Sequence, residues 1–338
     1  MSLGIHVAKI SKIKDAKYKD MSVAIQEEVQ LLGLNACQIF THGPRNYKKN
    51  KMNINAIKKF CIEKKVDIST HGTYVSAGIW KINQKNKNTP ESKKNIEHIL
   101  DLLQSTDQLG GSSVVIHLPK KTPKLIVETM EVLSEHKDIV ELTDKVSLVL
   151  EMPASKPDDK TYETAAKLNY LCNSIRSNKN IILNWRLCID TSHQWSCGIE
   201  ISNSKNWNDW LNELDDFTRN KISIIHLNGN STSNFKKGKD VHEIIMSPND
   251  GIWSTLITPE IRDFIKKDGV SICKNRESFF NYLSKEELKK FNSSSLFSII
   301  QFAANNRIAL ILEVNRGDFI YTKFAIDVIK GLMSNLNK

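Results

Sequence analysis

Short β-rich runs alternate along the chain with amphipathic stretches whose apolar residues recur every three or four positions. The strand pattern falls on GIHV (4–7), ACQIF (36–40), VDIST (66–70), SVVIHL (113–118), VSLVLEM (146–152), LCIDT (187–191), ISIIHL (222–227) and ALILEV (309–314). Several are nearly continuous apolar runs, as expected of parallel strands covered on both faces. Between and after them the periodicity predicts helices over 16–32, 53–64, 91–109, 122–138, 160–177, 206–219 and 319–336. In 16–32 the apolar stripe is Met21, Ala24, Ile25, Val29 and Leu32, while Lys19, Glu27 and Glu28 take the wet side.

Eight strands separated by helices is the count of a (β/α)8 TIM barrel, an α/β fold. A doubly wound open sheet is the competing arrangement, but nothing resembling GxGxxG follows the first strand. The crossover between strands seven and eight, 228–308, is far longer than the others and carries the helical segments EIRDFIKKDG and FFNYLSKEELKKF. We read about 255–295 as an insertion packed on the outside of the barrel. With no internal repeat and no Pro/Ser-rich linker, residues 1–338 are expected to form a single barrel domain.

Composition narrows the class. Of 338 residues, 40% are hydrophobic and 25% charged, which excludes wholesale disorder. No run approaches the ~18 apolar residues of a membrane helix, and Lys9 interrupts any signal-peptide core. Cysteines 37, 61, 172, 188, 197 and 273 lack CxxC pairing and read as reduced thiols. A soluble, intracellular protein without a membrane partner is expected. The net charge of +10 favours a polyanionic partner.

The candidate chemistry lies where histidines and carboxylates end the strands. His71 closes the third strand, His117 the fourth and Glu151 the fifth; Asp190 and His193 end the sixth, His226 the seventh and Glu313 the eighth. Asp240 and His242 follow strand seven, spaced DxH. In a barrel the carboxyl ends of all strands converge on one mouth, so residues distant in sequence become neighbours. Buried carboxylates without cations cost several kcal/mol each or shift their pKa. Divalent cations relieve that cost, and imidazole and carboxylate are ordinary zinc ligands. Nine ligands with one bridging carboxylate suit about three zinc ions, with manganese or iron able to replace one. Each of these residues has a plain structural alternative: Asp190 as a helix N-cap, Glu313 paired with Arg316. Their joint placement on six consecutive strands is what points to metal. His6 and His42 are candidates to support the ligands, and His98 and His136 are expected at the solvated surface.

The set HGTY, VVIHLP, LEMP, CIDTSH, HLNGN, DVH and LILEVN, in that order, resembles the endonuclease IV family of abasic-site (AP) endonucleases. The resemblance runs from GIHV to the last helix, with 255–295 as an addition. It implies a trinuclear zinc site on a (β/α)8 barrel. His71, His117 and Glu151 would hold one ion; Glu151, Asp190, His226 and Glu313 a second; His193, Asp240 and His242 a third. It further implies base excision repair of double-stranded DNA by a zinc-dependent phosphodiester hydrolase acting as a monomer, with Glu151 catalytic. The phosphodiester 5′ to an abasic site would be hydrolysed to a 3′-hydroxyl and a 5′-deoxyribose phosphate, with trimming of blocked 3′ ends. Arg45 in GPRNY, and Tyr74 and Val75 in HGTYV, match residues that enter the duplex. Val75 is smaller than the family's usual leucine, and HGPRN departs from its lead-in.

Basic residues follow several strands: Arg45, Lys48, Lys49 and Lys51; Lys81, Lys85 and Lys87; Lys120 and Lys121; Lys236, Lys237 and Lys239. We expect them to face DNA. Two other classes use the same residues. A sugar isomerase or epimerase of the xylose-isomerase-like superfamily would need only Glu151, Asp190, His226 and Glu313 around one metal. A non-catalytic DNA-binding barrel would keep the metal as structure. Ultraviolet-damage endonucleases are a nearer alternative, differing in substrate more than in chemistry.

Overall fold

The apolar runs become the staves of a closed barrel in the computed structural model. Eight parallel strands run in sequence order around it: β1 (Leu3–Val7), β2 (Ala36–Phe40), β3 (Asp67–His71), β4 (Ser113–His117), β5 (Ser147–Glu151), β6 (Trp185–Asp190), β7 (Ile222–His226) and β8 (Ala309–Leu312). β8 closes onto β1, with Leu3 opposite Leu310. The structure describes residues 1–335 apart from 9, 12–15, 44, 121, 156–161, 163, 236–238, 273–282 and 314–318.

Alternation along each strand builds the barrel interior in layers. Ser69, Ser113, Ser147 and Arg186 line a cavity of about 470 Å³ at the N-terminal mouth. Above them Ala36, Val115, Val149, Cys188, Ile224 and Ile311 form a small buried cluster separate from the main core. Two residues further along the same strands come Gln38, His117, Glu151, Asp190, His226 and Glu313. An apolar floor therefore lies directly beneath a polar layer at the C-terminal mouth. β1 joins this scheme through Gly4: a Cβ there would come 2.7 Å from the backbone carbonyl of Ala36, so glycine lets β1 and β2 meet.

The main core fills the space between barrel and helices. Helix Met21–Leu32 contributes Met21, Ala24, Ile25, Val29 and Leu32, the stripe its periodicity predicts. It starts later than predicted because Asp20 caps it, accepting from the backbone N–H of Ser22 at 2.7 Å. Ala16–Lys17 instead pairs antiparallel with Ile10–Ser11. The helix predicted over 122–138 ends at Ser134, and a second helix that was not predicted, Lys137–Lys145, follows it. The helix predicted over 206–219 is broken into Ser204–Glu213 and Asp216–Lys221, where Asp215 supplies a fresh N-cap to Thr218.

The long crossover after β7 begins with a short ribbon, Gly229–Asn230 paired with His242–Glu243. Helices Pro259–Ile272, Lys285–Asn292 and Ser295–Asn305 follow, the second opened by a Ser284/Glu287 capping box. Pro259–Ile272 packs against Phe319–Asn335, and its Ile261 and Ile265 are buried. Among the described residues no helix is long and apolar enough to cross a membrane.

Candidate metal centre

The strand register sets the candidate ligands side by side. His117 lies opposite Glu151 across β4 and β5, and Asp190 opposite His226 across β6 and β7. The short helix Thr191–Ser196 turns His193 back into the mouth, and Asp190 itself is the N-cap, its Oδ1 accepting from His193 N–H at 2.9 Å. The N-cap alternative for Asp190 therefore holds for one oxygen, while Oδ2 faces the mouth. His242 arrives on the ribbon, opposite Asn230.

Among the described residues four sets of donor atoms converge, each within 4.8 Å of one another; one joins Cys188 to Glu151 and His226, and the other three use the candidate ligands alone. In the first, Glu151 Oε2 lies 3.1 Å from His71 Nε2 and 3.4 Å from His117 Nε2. In the second, His226 Nδ1 lies 3.0 Å from Glu151 Oε1, 3.7 Å from Asp190 Oδ2 and 3.5 Å from Glu313 Oε2. The third joins His193 and His242 to Asp190, where the sequence suggested Asp240. Asp240 is not remote: its Oδ1 is 3.4 Å from His193 Nε2 and 3.1 Å from His242 Nε2, on a side chain 51% exposed. Such spacings suit donors that share an ion at ~2.0–2.2 Å.

Electrostatics favours a cation. Glu151, Asp190 and His226 are fully buried, and among the described residues no lysine or arginine forms an ion pair with Glu151, Asp190 or Glu313. Burial opposes the charge on Glu151, yet His117 and His226 hold its carboxyl well below the usual range. Burial pushes Asp190 up, and the surrounding carboxylates raise His193 and His242 despite burial. His117 drops to about 4 because it is buried, with His71 and His193 adding repulsion against Glu151. An assembly of anions balanced only by imidazoles is what a divalent ion would relieve.

Backbone carbonyls fix two of the ring orientations. His71 Nδ1 is 2.7 Å from Gly72 O and His193 Nδ1 is 2.7 Å from Met152 O, which leaves Nε2 of each for the mouth. Trp80 Nε1 donates to His117 O at 2.7 Å. Sequence reasoning missed three supporting residues. Asn228 donates to Asp190 Oδ2 at 2.7 Å and accepts from Glu313 N–H at 2.7 Å, tying two strand ends together. Gln38 contacts His226 and His6. Asp250 collects four backbone N–H groups around the ribbon. Asn228 stands inside HLNGN and could have been marked there; the other two carry no sequence signal of their own.

At the rim, Tyr74 opens the 3₁₀ helix Tyr74–Lys81 and is 54% exposed, its ring 5.7 Å from His117 and 6.1 Å from Phe40. Arg45 is exposed on the loop after β2. The Val75 side chain and Arg316 lie outside the described residues, as do Lys121, Lys236 and Lys237. Two of the lysines expected to face DNA are engaged within the protein, Lys49 with Asp101 and Lys87 with Glu135. His98 is buried, contrary to the expected surface position, its ring edge-on to His42 and Tyr47. His136 is half-buried at a helix start. Cysteines 37, 61, 172, 188 and 197 are buried and not in disulfides. Cys273 lies outside the described residues.

Comparison with known proteins places this geometry in a lineage. A family model described as xylose isomerase-like TIM barrel matches residues 27–277. A probable AP endonuclease of African swine fever virus (isolate Tick/Malawi/Lil 20-1/1983) is 24% identical over 301 residues, covering 86% of this chain and 82% of its own. Probable endonuclease 4 of Thermosipho africanus is 27% identical, covering 65% and 77% respectively. Among solved structures, AsfvAP:AG superposes with a TM-score of 0.74 at 20% identity, covering 100% of this chain and 99% of that one. Endonuclease IV from Thermus thermophilus superposes with a TM-score of 0.63 at 17% identity, covering 99% and 100%. The barrel, the polar layer at its C-terminal mouth and the extent of the matching model lead to one assignment: the chain belongs to the xylose isomerase-like TIM barrel family.

Proposed function

We propose that this protein is a metal-dependent AP endonuclease of base excision repair. It hydrolyses the phosphodiester 5′ to an abasic site in double-stranded DNA, leaving a 3′-hydroxyl and a 5′-deoxyribose phosphate, and trims blocked 3′ ends. The whole chain acts as one barrel domain and as a monomer, with 255–295 an insertion outside the barrel. The observation that carries the reading is the position of Glu151, whose two oxygens face separate donor sets, with a further histidine pair beside them. Relatives named AP endonuclease and endonuclease 4 support it.

In this reading His71, His117 and Glu151 hold one zinc ion, and Glu151, Asp190, His226 and Glu313 a second. His193 and His242 hold the third with Asp240. Bound zinc lowers the pKa of water toward ~7 and offsets charge on a phosphodiester. The protein's own contribution is placement. Glu151 spans two donor sets from a fully buried position, so its orientation is fixed before substrate arrives. Asn228 and the backbone carbonyls of Gly72 and Met152 hold the donors. Tyr74 and Arg45 stand exposed at the rim, where an aromatic ring and a guanidinium replace stacking lost around an abasic nucleotide. Val75 joins them in this role.

The barrel fold alone also suits a single-metal sugar epimerase. The five donors beyond its four-residue set favour the nuclease. Metal analysis of the purified protein, paired with incubation on a duplex carrying one abasic analogue, tests the proposal. About three zinc ions per chain and EDTA-sensitive incision are expected. About one ion and no incision would favour the isomerase, and binding without incision the DNA-binding barrel.

A further inference from the structure

Two of the candidate ligand histidines rest on backbone carbonyls, but His226 is built the other way round. His71 and His193 present Nε2 to the mouth and set Nδ1 against a carbonyl oxygen. His226 presents Nδ1, 3.0 Å from Glu151 Oε1, and turns Nε2 into the barrel, 3.1 Å from the side-chain nitrogen of Gln38. Gln38 is fully buried, and its oxygen lies 3.1 Å from His6 Nδ1. One amide thus spans two imidazoles.

As placed, the Gln38 N–H donates to His226 Nε2, so the His226 proton sits on Nδ1 and donates to Glu151. That tautomer cannot bind a metal through Nδ1. Rotating the amide by half a turn exchanges its oxygen and nitrogen without moving either neighbour. Gln38 Oε1 then accepts from His226 Nε2–H, and Nδ1 is left with a bare lone pair toward Glu151, Asp190 and Glu313. The proton given up at Nδ1 is replaced at Nε2, so the ring stays neutral. The rotated amide donates to His6 Nδ1, whose proton moves to Nε2, an atom with no hydrogen-bond partner among the described residues. Glu313, 3.5 Å from His6 Nδ1, resists that move only while its own charge is uncompensated. Cys188 lies beside the same ring, but a thiol is a weak acceptor.

We infer that Gln38 is a positioning residue of this centre, its reversible amide selecting the His226 tautomer that can ligate. A carboxylate, the common partner of a ligating histidine, would hold only the Nε2–H form; an amide serves both the empty and the loaded centre. The inference rests on the metal-centre reading above.

The test uses the full chain. Long-range ¹H–¹⁵N spectra of the zinc-loaded wild type should show His226 protonated at Nε2 and bare at Nδ1. Zinc competition against a chromophoric chelator should show one ion held about 10- to 100-fold more weakly in Gln38→Leu. Gln38→Glu, which keeps the acceptor, should restore affinity to within about threefold, well short of that loss. A His226 proton on Nδ1 in the loaded wild type overturns the inference, and this reading does not depend on any variant folding. Wild-type affinities in a folded Gln38→Leu overturn it equally. A wild type that takes up no zinc would instead overturn the metal centre itself, and this inference with it.

Discussion

His193 and His242 face each other across the mouth with Nε2 atoms 3.4 Å apart. One is delivered by the helix after β6, the other by the ribbon after β7, and Asp240 lies against both. In the proposed reading this pair would hold a third ion, separable from the other two. Replacing His242 by Ala should lower zinc content by about one ion per chain and leave the Glu151 sets loaded. Metal analysis after gel filtration checks this; loss of every ion, or of none, contradicts it.

Glu151 belongs both to the set with His71 and His117 and to the set with His226. Glu151→Gln keeps its shape and burial but removes the charge facing His71, His117 and His226. Incision of an abasic duplex should fall by more than about a hundredfold, roughly 2.7 kcal/mol of barrier. DNA affinity, measured by fluorescence anisotropy, should stay near wild type, because the rim residues Arg45 and Tyr74 are untouched. Near-normal turnover would remove Glu151 from the catalytic role.

Asp250 carries no sequence signal of its own, yet it organises the ribbon from inside. Its Oδ1 accepts from Asn230 N–H at 3.3 Å and Ile252 N–H at 2.9 Å, and its Oδ2 from Met246 N–H at 2.7 Å and Trp253 N–H at 3.2 Å. Burial raises the carboxyl to about 7 while these amides pull it down. Asp250→Asn turns an NH₂ toward two of the donors, which costs about 1–3 kcal/mol for each buried group left unpaired. The urea midpoint should drop, and the zinc held by His193 and His242 should be lost before the other ions. An unchanged midpoint with full zinc content would show that the clamp is dispensable.

The barrel was legible because its strands are short, apolar and regularly interrupted, and because closure sends every C-terminal strand end to one rim. Knowing that much, His71, Glu151 and Glu313 could be placed together although they are far apart in sequence. Other features had no such carrier. The two-residue alternation that stacks Val115 beneath His117 and Val149 beneath Glu151 is hidden in sequence by the outward apolar residues between them. Gln38 is a neutral amide inside an apolar strand, and only the fold brings it to His226. His98 looks solvated because Lys93, Lys94 and Glu97 flank it, but these project from the same helix to the outside while His98 turns inward. The break at Glu135–His136 likewise lies within a continuous amphipathic pattern and shows only in the packing of two helices.

The burial of His98 has a consequence for pH. Its ring lies 5.1 Å from His42 and 4.4 Å from Tyr47, beneath the loop that carries Arg45. Burial first, and the neighbouring His42 second, lower its pKa to about 4 from the ordinary ~6.5. The folded value lies below the unfolded one, so as pH falls the unfolded chain takes up the proton first. The stability contributed by neutral His98 is therefore fully present above pH ~6.5 and is lost progressively toward pH ~4. His98→Gln removes the titration but keeps a polar group of similar reach. The gap in unfolding free energy between wild type and His98→Gln should be widest at pH 7 and narrower at pH 5, as read from urea melts at both. Other groups that titrate alike in both proteins cancel in that difference. A gap that stays constant between the two pH values would mean that His98 carries its proton as readily folded as unfolded.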